Sequence, residues 1–136
     1  MKTETDNSVK EQIATCDNNV LADRLYKFRG VNKSNNEIIY GNYYFDGKYH
    51  FIDKCFEHRK EVYAKSVSQF TGLKDIEGKE IYEGDIILGY NNPHVVTFAD
   101  GAFYLTYKNS SVRLSITCGA LKIIGNIFEN PDLLPT

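Results

Sequence analysis

Hydrophobic and polar residues alternate with a period of two through most of the chain after Arg24. In a β-strand this period places every second side chain on the same face, so the pattern predicts half-buried strands. The continuous apolar run at 86–88 instead favours a strand buried on both faces. Gly41 interrupts an aromatic strand, which predicts a bulge or a close backbone approach there. The other predicted strands cover residues 24–30, 37–45, 48–52, 67–71, 94–98, 102–107, 112–117 and 121–128.

Turn signals separate these strands at short intervals. Asp-Gly pairs at 46–47 and 100–101 each stand between two alternating runs. Each pair predicts a type I′ hairpin, because both central residues of that turn need positive φ. In the first hairpin this geometry predicts a set of cross-strand aromatic contacts. The contacts are predicted between Tyr43 and Phe45 on one strand and Tyr49 and Phe51 on the other.

The stretch 69–87, QFTGLKDIEGKEIYEGDII, combines carboxylates, glycines and apolar residues at close spacing. One interpretation is a site for acid–base or divalent-cation chemistry, which needs converging carboxylates with shifted pKa values. The other is a series of bends whose carboxylates face water or accept backbone N–H groups. We favour the bends, because glycine readily adopts positive φ. The residues assigned to this structural turn motif are Gly72, Asp75, Gly78, Gly84 and Asp85.

Two segments lack a clear strand pattern. Residues 1–22 are polar and are predicted to form an extension, with a short helix over 8–16 that starts at a capping box. Residues 53–68 fit either a strand near 61–63 or a helical turn. Neither segment changes the prediction that most of the chain is β-structure.

The strands and turns together predict an all-β protein in which two β units follow the short extension. An aromatic β-hairpin lobe is expected over 23–66, and a C-terminal SH3-like barrel over 67–136. The barrel is predicted because five short strands with regular turns occupy the last part of the chain. We expect both units to form one domain of about 110 residues, within the usual size range.

Charge is unevenly distributed, although the whole chain carries a net charge of −2. Residues 1–23 hold two lysines against five carboxylates, whereas residues 24–60 hold eight basic residues against four acidic ones. Such a basic, tyrosine-rich segment favours an anionic partner. The candidate binding surface consists of Lys27, Arg29, Tyr43, Tyr44, Lys48 and Tyr49. A wider set that adds Tyr26, Phe28, Lys33, Lys54, Arg59 and Lys60 fits single-stranded nucleic acid as the alternative ligand.

Residues that carry chemistry are sparse. His50, Asp53, Cys55 and His58 lie close in sequence, but their spacing is not a standard zinc-binding pattern, and a solvated strand edge is favoured. The chain has three cysteines and no C-x-x-C pair, which argues against a disulfide framework. Cys55 and His58 are close in sequence, but the sequence does not indicate a third residue that would orient them as a nucleophilic pair. We therefore predict no catalytic residues, no metal and no cofactor.

No apolar run approaches the ~18 residues that a membrane helix needs. The first residues also lack the apolar core of a secretory signal. Both features predict a cytoplasmic protein without a membrane partner.

Four motifs resemble the YopX family of phage and prophage proteins: RLYKFRG, QFTGLKDIEGKEIYEGDII, VVTFADGAF and IIGNIFENPDLL. The resemblance runs from about residue 24 to 134, while residues 1–23 lie outside the family pattern. It implies an all-β fold with an SH3-type barrel in the C-terminal part and a bacteriophage or prophage origin. It implies no catalytic residues.

The sequence thus predicts a non-catalytic accessory module that binds a host or phage protein, or a second copy of itself. Nucleic-acid binding through residues 24–60 is the alternative, and an enzyme of unidentified type is a second alternative.

Overall fold

The structure, a computed structural model, describes residues 25–54, 58–115 and 121–135. Within these ranges the chain consists almost entirely of antiparallel strands, which confirms the all-β prediction. The helix predicted over 8–16 and all three cysteines lie outside the described residues. The strands are β1 Phe28–Val31, β2 Ile38–Phe45, β3 His50–Asp53, β4 Lys60–Val62, β5 Ser68–Lys74, β6 Glu80–Tyr82, β7 Asp85–Gly89, β8 Asn92–Ala99, β9 Ala102–Tyr107, β10 Ser110–Arg113 and β11 Lys122–Asn126.

The first six strands form one sheet in the order β4-β3-β2-β1-β5-β6. The sheet curls, because Val62 in β4 also bridges Asn32, which directly follows β1. Two glycines permit this curl. A Cβ on Gly30 would lie 2.9 Å from the Val62 side chain, and a Cβ on Gly41 would overlap the carbonyl oxygen of Asp53. The close backbone approach predicted at Gly41 is therefore confirmed.

The connection between β2 and β3 is a hairpin, as predicted, but its loop is longer than a two-residue type I′ turn. The carboxylate of Asp46 accepts the N–H groups of Lys48 and Tyr49 at 2.8 and 2.7 Å. These bonds hold a four-residue loop in which only Gly47 has positive φ. The predicted pairing of Tyr43 and Phe45 with Tyr49 and Phe51 is wrong, because the observed pairs are Tyr43–Ile52, Tyr44–Phe51 and Phe45–His50.

The segment 53–68 contains both elements that its pattern allowed. β4 is followed by a single 3₁₀ turn over Ala64–Ser66. The hydroxyl of Ser66 donates to the carbonyl oxygen of Tyr63 at 2.6 Å and accepts the N–H of Val31 at 2.7 Å. One buried serine thus ties this turn to the end of β1.

The division predicted between residues 66 and 67 does not separate the two sheets. β5 pairs with β1 and β6 pairs with β5, so the first sheet continues to Tyr82. The chain enters the second sheet only at Asp85. The alternation of residues along β5 did not indicate which strand it would pair with, because pairing depends on residues far away in sequence.

The second sheet has the order β10-β9-β8-β7-β11. Tyr90-Asn91 and Asp100-Gly101 have positive φ at both positions and join directly paired strands, so both are two-residue hairpins. The hairpin predicted at Asp100-Gly101 is therefore confirmed. No pairing joins β10 to β11 among the described residues, so the SH3-like barrel is not confirmed and no closed barrel is found there.

The main apolar core lies against one face of the second sheet. Ile87, Val96 and Leu105 occupy the centres of β7, β8 and β9 and are almost completely buried. Ile81 of β6 packs into the same cluster, so the core also joins the two sheets. Burying each of these side chains contributes about 1.5–3 kcal/mol to stability.

Candidate functional site

An exposed aromatic surface covers the outer face of the curled sheet. The register pairs Tyr44 with Phe51 and Phe51 with Glu61, so these three side chains point to the same side. Tyr49 lies two residues before Phe51, and Tyr63 lies two residues after Glu61. Both tyrosines are on the same side, where Lys33 lies over their rings. We call this set, Tyr44, Tyr49, Phe51, Glu61 and Tyr63, the outer tyrosine face.

Cations lie over the rings of the outer tyrosine face. Its three tyrosines remain between 41% and 45% exposed, so rings and cations are both accessible to solvent. Cation–π contacts of this kind contribute about 0.5–1 kcal/mol at exposed sites. The distances from the cation to the ring centroid are 3.9 Å for Arg59 over Tyr44, 5.0 Å for Lys48 over Tyr49, and 5.9 and 5.8 Å for Lys33 over Tyr49 and Tyr63.

Carboxylates neutralise only part of this positive charge. Glu61 forms an ion pair with Lys33, and the hydrogen bond between them raises the pKa of Lys33. Within the described ranges, neither Lys48 nor Arg59 forms an ion pair with a carboxylate. Backbone N–H groups of its own loop lower the pKa of Asp46, and Arg59 adds a weaker attraction. Among the described residues, Lys33 is thus the only one of these three cations that is held in an ion pair.

Two other residues predicted for the binding surface, Tyr43 and Lys27, have contacts within the fold. Tyr43 lies on the opposite, inner face, and its hydroxyl is 2.6 Å from Nδ1 of His50. His50 in turn stacks on Phe45, with ring centroids 4.6 Å apart. Lys27 pairs with Glu80 at 2.6 Å. Of the six predicted surface residues, Tyr44 and Tyr49 belong to the outer tyrosine face, and Lys48 lies over the ring of Tyr49.

The prediction that Arg29 is a surface residue is wrong, because this side chain is buried between the two sheets. Its Nη1 lies 2.8 Å from Oδ1 of Asp85, and its Nη2 donates to the carbonyl oxygen of Glu83 at 3.1 Å. The rings of Tyr82 and Phe128 lie 5.0 and 5.9 Å from its guanidinium carbon. Arg29 of β1 thus fastens the first sheet to β7 of the second.

Asp85 is the buried first residue of β7, not a carboxylate on a solvent-facing bend. Its Oδ2 accepts the N–H of Tyr82 at 2.7 Å, which closes the bend around Gly84. Gly84 has a φ of +86°, as predicted for a bend that requires glycine. Burial raises the pKa of Asp85 even though Arg29 lies beside it.

Asp75 makes a second connection between the sheets. Its carboxylate accepts the N–H groups of Glu77 and Lys79 within its own turn, at 2.9 and 2.8 Å. It also accepts the N–H of Ile123 in β11 at 3.1 Å. Burial opposes ionisation of Asp75, but the backbone N–H bonds outweigh it and lower its pKa. The turn motif therefore has the structural role predicted for it, although its two aspartates are buried.

A cleft of about 340 Å³ lies beside the Arg29–Asp85 pair, between β6 and β11. Its acids are engaged: Asp85 with Arg29, Glu80 with Lys27, and Glu129 with the side-chain amide of Asn126. Burial raises the pKa of Tyr82 to about 12, so its hydroxyl stays protonated at neutral pH. The cleft brings no carboxylate to an open partner in the way that acid–base catalysis requires.

The metal cluster considered between residues 50 and 58 can be followed only at its described members. His50 contacts Tyr43 and Phe45, and Cys55 lies outside the described residues. In the described ranges, no group of three His, Cys, Asp or Glu side chains is placed to hold a metal ion.

Among the tyrosines of the outer tyrosine face, Tyr63 is the one that the sequence pattern did not predict for the binding surface. The strand that directly precedes it, β4, is only three residues long and was ambiguous with a helical turn. Alternation of Glu61 with Tyr63 is the signal that identifies it once β4 is recognised as a strand.

Comparisons with known proteins agree with this fold. A protein-family model described as YopX protein matches residues 27–135, which confirms the resemblance seen in the sequence motifs. The crystal structure of protein EF1440 from Enterococcus faecalis is similar, with a TM-score of 0.57 and 24% sequence identity over 83% of this chain and 100% of that chain. At this identity the likeness shows the fold. A comparison with curated proteins gives no match. In the part of the chain that the structure describes, no helix is long and apolar enough to cross a bilayer.

Proposed function

The chain belongs to the YopX protein family, and we propose that it is a non-catalytic β module that binds a protein partner through the outer tyrosine face. The observation that carries this proposal is the exposure of three tyrosines on one side of a single curled sheet. Tyrosine is enriched in protein interfaces, where it supplies a large contact area at low conformational-entropy cost. A second copy of the chain is one form that this partner can take.

The surroundings of the tyrosines support a binding surface that is held in place before the partner arrives. Tyr44 lies in the half of an eight-residue strand that pairs with β3, while the other half pairs with β1, and Tyr49 ends a loop fixed by Asp46. Tyr63 directly follows β4, and its N–H donates to the carbonyl oxygen of Val31. Preorganisation of this kind lowers the entropic cost of association.

A non-catalytic role is part of the proposal, and it is supported by the partners that the acids beside the cleft have within the fold. A phage or prophage origin and a location in the bacterial cytoplasm are part of the proposal and rest on the family resemblance. We also propose that the second sheet has an SH3-like architecture, which is supported by the run of short strands joined by tight turns.

Site-specific photo-crosslinking in bacterial cells tests the protein-binding proposal. A photoreactive phenylalanine replaces Tyr44 in one variant and Tyr90, which is 62% exposed on the second sheet, in the control variant. We expect discrete protein adducts from position 44 that survive nuclease treatment and are absent from position 90. Adducts with the mass of two copies would identify self-association. Equal adducts from both positions, or adducts that vanish with nuclease, would contradict the proposal.

Single-stranded nucleic acid is the second candidate ligand, because cations beside aromatic rings also bind stacked bases. Titration of labelled DNA and RNA oligonucleotides tests this alternative. Binding that weakens with salt and with Tyr44→Ala supports it. Flat titrations with both nucleic acids at low salt exclude it.

A further inference from the structure

We propose that the segment bound by the outer tyrosine face is acidic, with two carboxylates that bind Arg59 and Lys48. This inference rests on the proposed function and names the chemistry of the partner. It follows from two exposed cations that lie over neighbouring tyrosine rings without an ion pair in the described ranges.

The ring of Tyr44 is already covered on one side. The guanidinium carbon of Arg59 lies 3.9 Å from the ring centroid, so a ligand that approaches from this side meets the cation first. A guanidinium stacked on a ring keeps its N–H groups at its periphery, where they can donate to both oxygens of a carboxylate. Stacking also restricts the side chain before binding, which reduces the entropy lost when the bond forms.

The second cation available on this surface is Lys48. Glu61 already pairs with Lys33, although Lys33 also lies over Tyr49 and Tyr63. Lys48 lies 5.0 Å from the centroid of Tyr49 and has no such carboxylate. The loop that carries Lys48 is fixed by Asp46, so the position of this cation is linked to the hairpin.

The spacing of the two tyrosines favours an extended acidic segment. Tyr44 pairs with Phe51, and Tyr49 lies two residues before Phe51, at the end of the loop that leads into β3. The two tyrosines are therefore diagonal neighbours across the hairpin. Diagonal positions of this kind are about 7–8 Å apart. Side chains at positions i and i+2 of an extended peptide are about 7 Å apart. A pair of carboxylates separated by one residue therefore fits the two cations.

The distribution of negative charge favours an acidic protein segment over nucleic acid. Glu61 lies within the outer tyrosine face, Asp46 lies in the adjoining loop, and the chain has a net charge of −2. A continuous phosphate backbone would pass close to these carboxylates, whereas a peptide can carry negative charge only opposite the cations.

Peptide titration followed by amide NMR tests the inference. The probes are a peptide of alternating Glu and Ser, the same peptide with Gln for Glu, and an oligo(dT) strand. We expect the Glu peptide to shift the signals of Tyr44 and Tyr49, and the Gln peptide to shift neither. Affinity should fall about tenfold between roughly 0.05 and 0.3 M salt, because exposed charges are screened over this range.

Charge-removing variants provide the matched comparison. The double variant Arg59→Gln with Lys48→Gln should bind the Glu peptide at least about tenfold more weakly, the loss of roughly two exposed ion pairs. Lys108→Gln is the control, because Lys108 lies 5.3 Å from the ring of Tyr107 on the second sheet and should leave binding unchanged.

Several results would overturn the acidic-partner inference: no shifts with the Glu peptide, equal binding of the Gln peptide, full binding by the double variant, or tighter binding of oligo(dT) at the same signals. Crosslinking at position 44 separates this failure from failure of the proposed function. Protein adducts that persist in the double variant would refute the acidic partner while retaining the protein-binding surface. Absence of protein adducts in the unsubstituted background would refute the protein-binding surface itself.

Discussion

Replacing Asp85 with Ala is expected to destabilise the protein by about 3–5 kcal/mol, the cost of removing one partner from a buried ion pair. Both side chains of the pair are only 4% exposed, so water cannot readily replace the lost carboxylate. The Nε of Arg29 is buried without a hydrogen-bond partner even in the intact pair. Removing the carboxylate also leaves the N–H of Tyr82 without its acceptor.

Replacing both partners should cost far less than replacing one. Burial raises the pKa of Asp85, which means that the attraction of Arg29 does not offset the desolvation of the carboxylate. An apolar pair, Arg29→Met with Asp85→Leu, removes both buried charges together. Such replacements are often neutral or stabilising, so we expect the double variant to recover most of the stability that Asp85→Ala loses.

Urea unfolding followed by tyrosine fluorescence and far-UV circular dichroism measures these differences. The single variants Arg29→Met and Asp85→Leu and the double variant complete a thermodynamic cycle, in which Arg29 and Asp85 should show a coupling of about 2 kcal/mol or more. The explanation fails if Asp85→Ala loses less than about 1 kcal/mol, the value typical of an exposed pair. It also fails if the double variant is as unstable as the two single losses added together.

The other predictions concern glycine, pH and a buried hydroxyl. Gly84→Ala should lower the free energy of unfolding in urea by about 1 kcal/mol or more. The control is Gly72→Ala, because Gly72 has a φ of +89° and open space around a Cβ. This control reports backbone strain alone and should lower the free energy of unfolding less. Because the pKa of Asp75 is lowered on folding, its stabilising contribution is present above its ordinary pKa of 3.8 and is lost as pH falls through the lowered value. The difference in unfolding free energy between wild type and Asp75→Asn should therefore shrink below about pH 4, and a constant difference would contradict this role. Ser66→Ala should cost about 1–3 kcal/mol, because the N–H of Val31 loses its acceptor, whereas Ser66→Thr tests whether the hydroxyl alone restores it.

Local sequence was sufficient where one short segment determines the structure. Asp100-Gly101 formed the predicted two-residue hairpin because both residues can adopt positive φ. Asp46-Gly47 did not, although it is the same dipeptide, because the Asp46 side chain bonds two N–H groups of the following residues. The dipeptide identified each hairpin, but the loop length, and with it the register of the aromatic residues, depended on that side chain.

The contacts that join the two sheets could not be predicted from short stretches of the sequence. Arg29 and Asp85 lie far apart in sequence, and each occurs in a pattern that is also typical of solvent-facing residues. The carboxylate of Asp75 similarly reaches β11 from a distant turn. The sequence indicated that the turn motif is structural, but only the tertiary arrangement shows that its aspartates are buried and join the sheets.

Arg29 and Arg59 illustrate why the same residue type has two roles in this fold. Each guanidinium lies over a tyrosine ring, Tyr82 for Arg29 and Tyr44 for Arg59. The buried arginine uses its terminal N–H groups on an internal carboxylate and a carbonyl oxygen, so its bonds contribute to folding. The exposed arginine also lies over a tyrosine ring but has no ion pair in the described ranges, and we propose that its N–H groups bind a carboxylate of a partner. The local pattern of basic and aromatic residues therefore does not distinguish the structural arginine from the one we propose to bind a ligand. The two are distinguished by burial and by the position of a distant carboxylate.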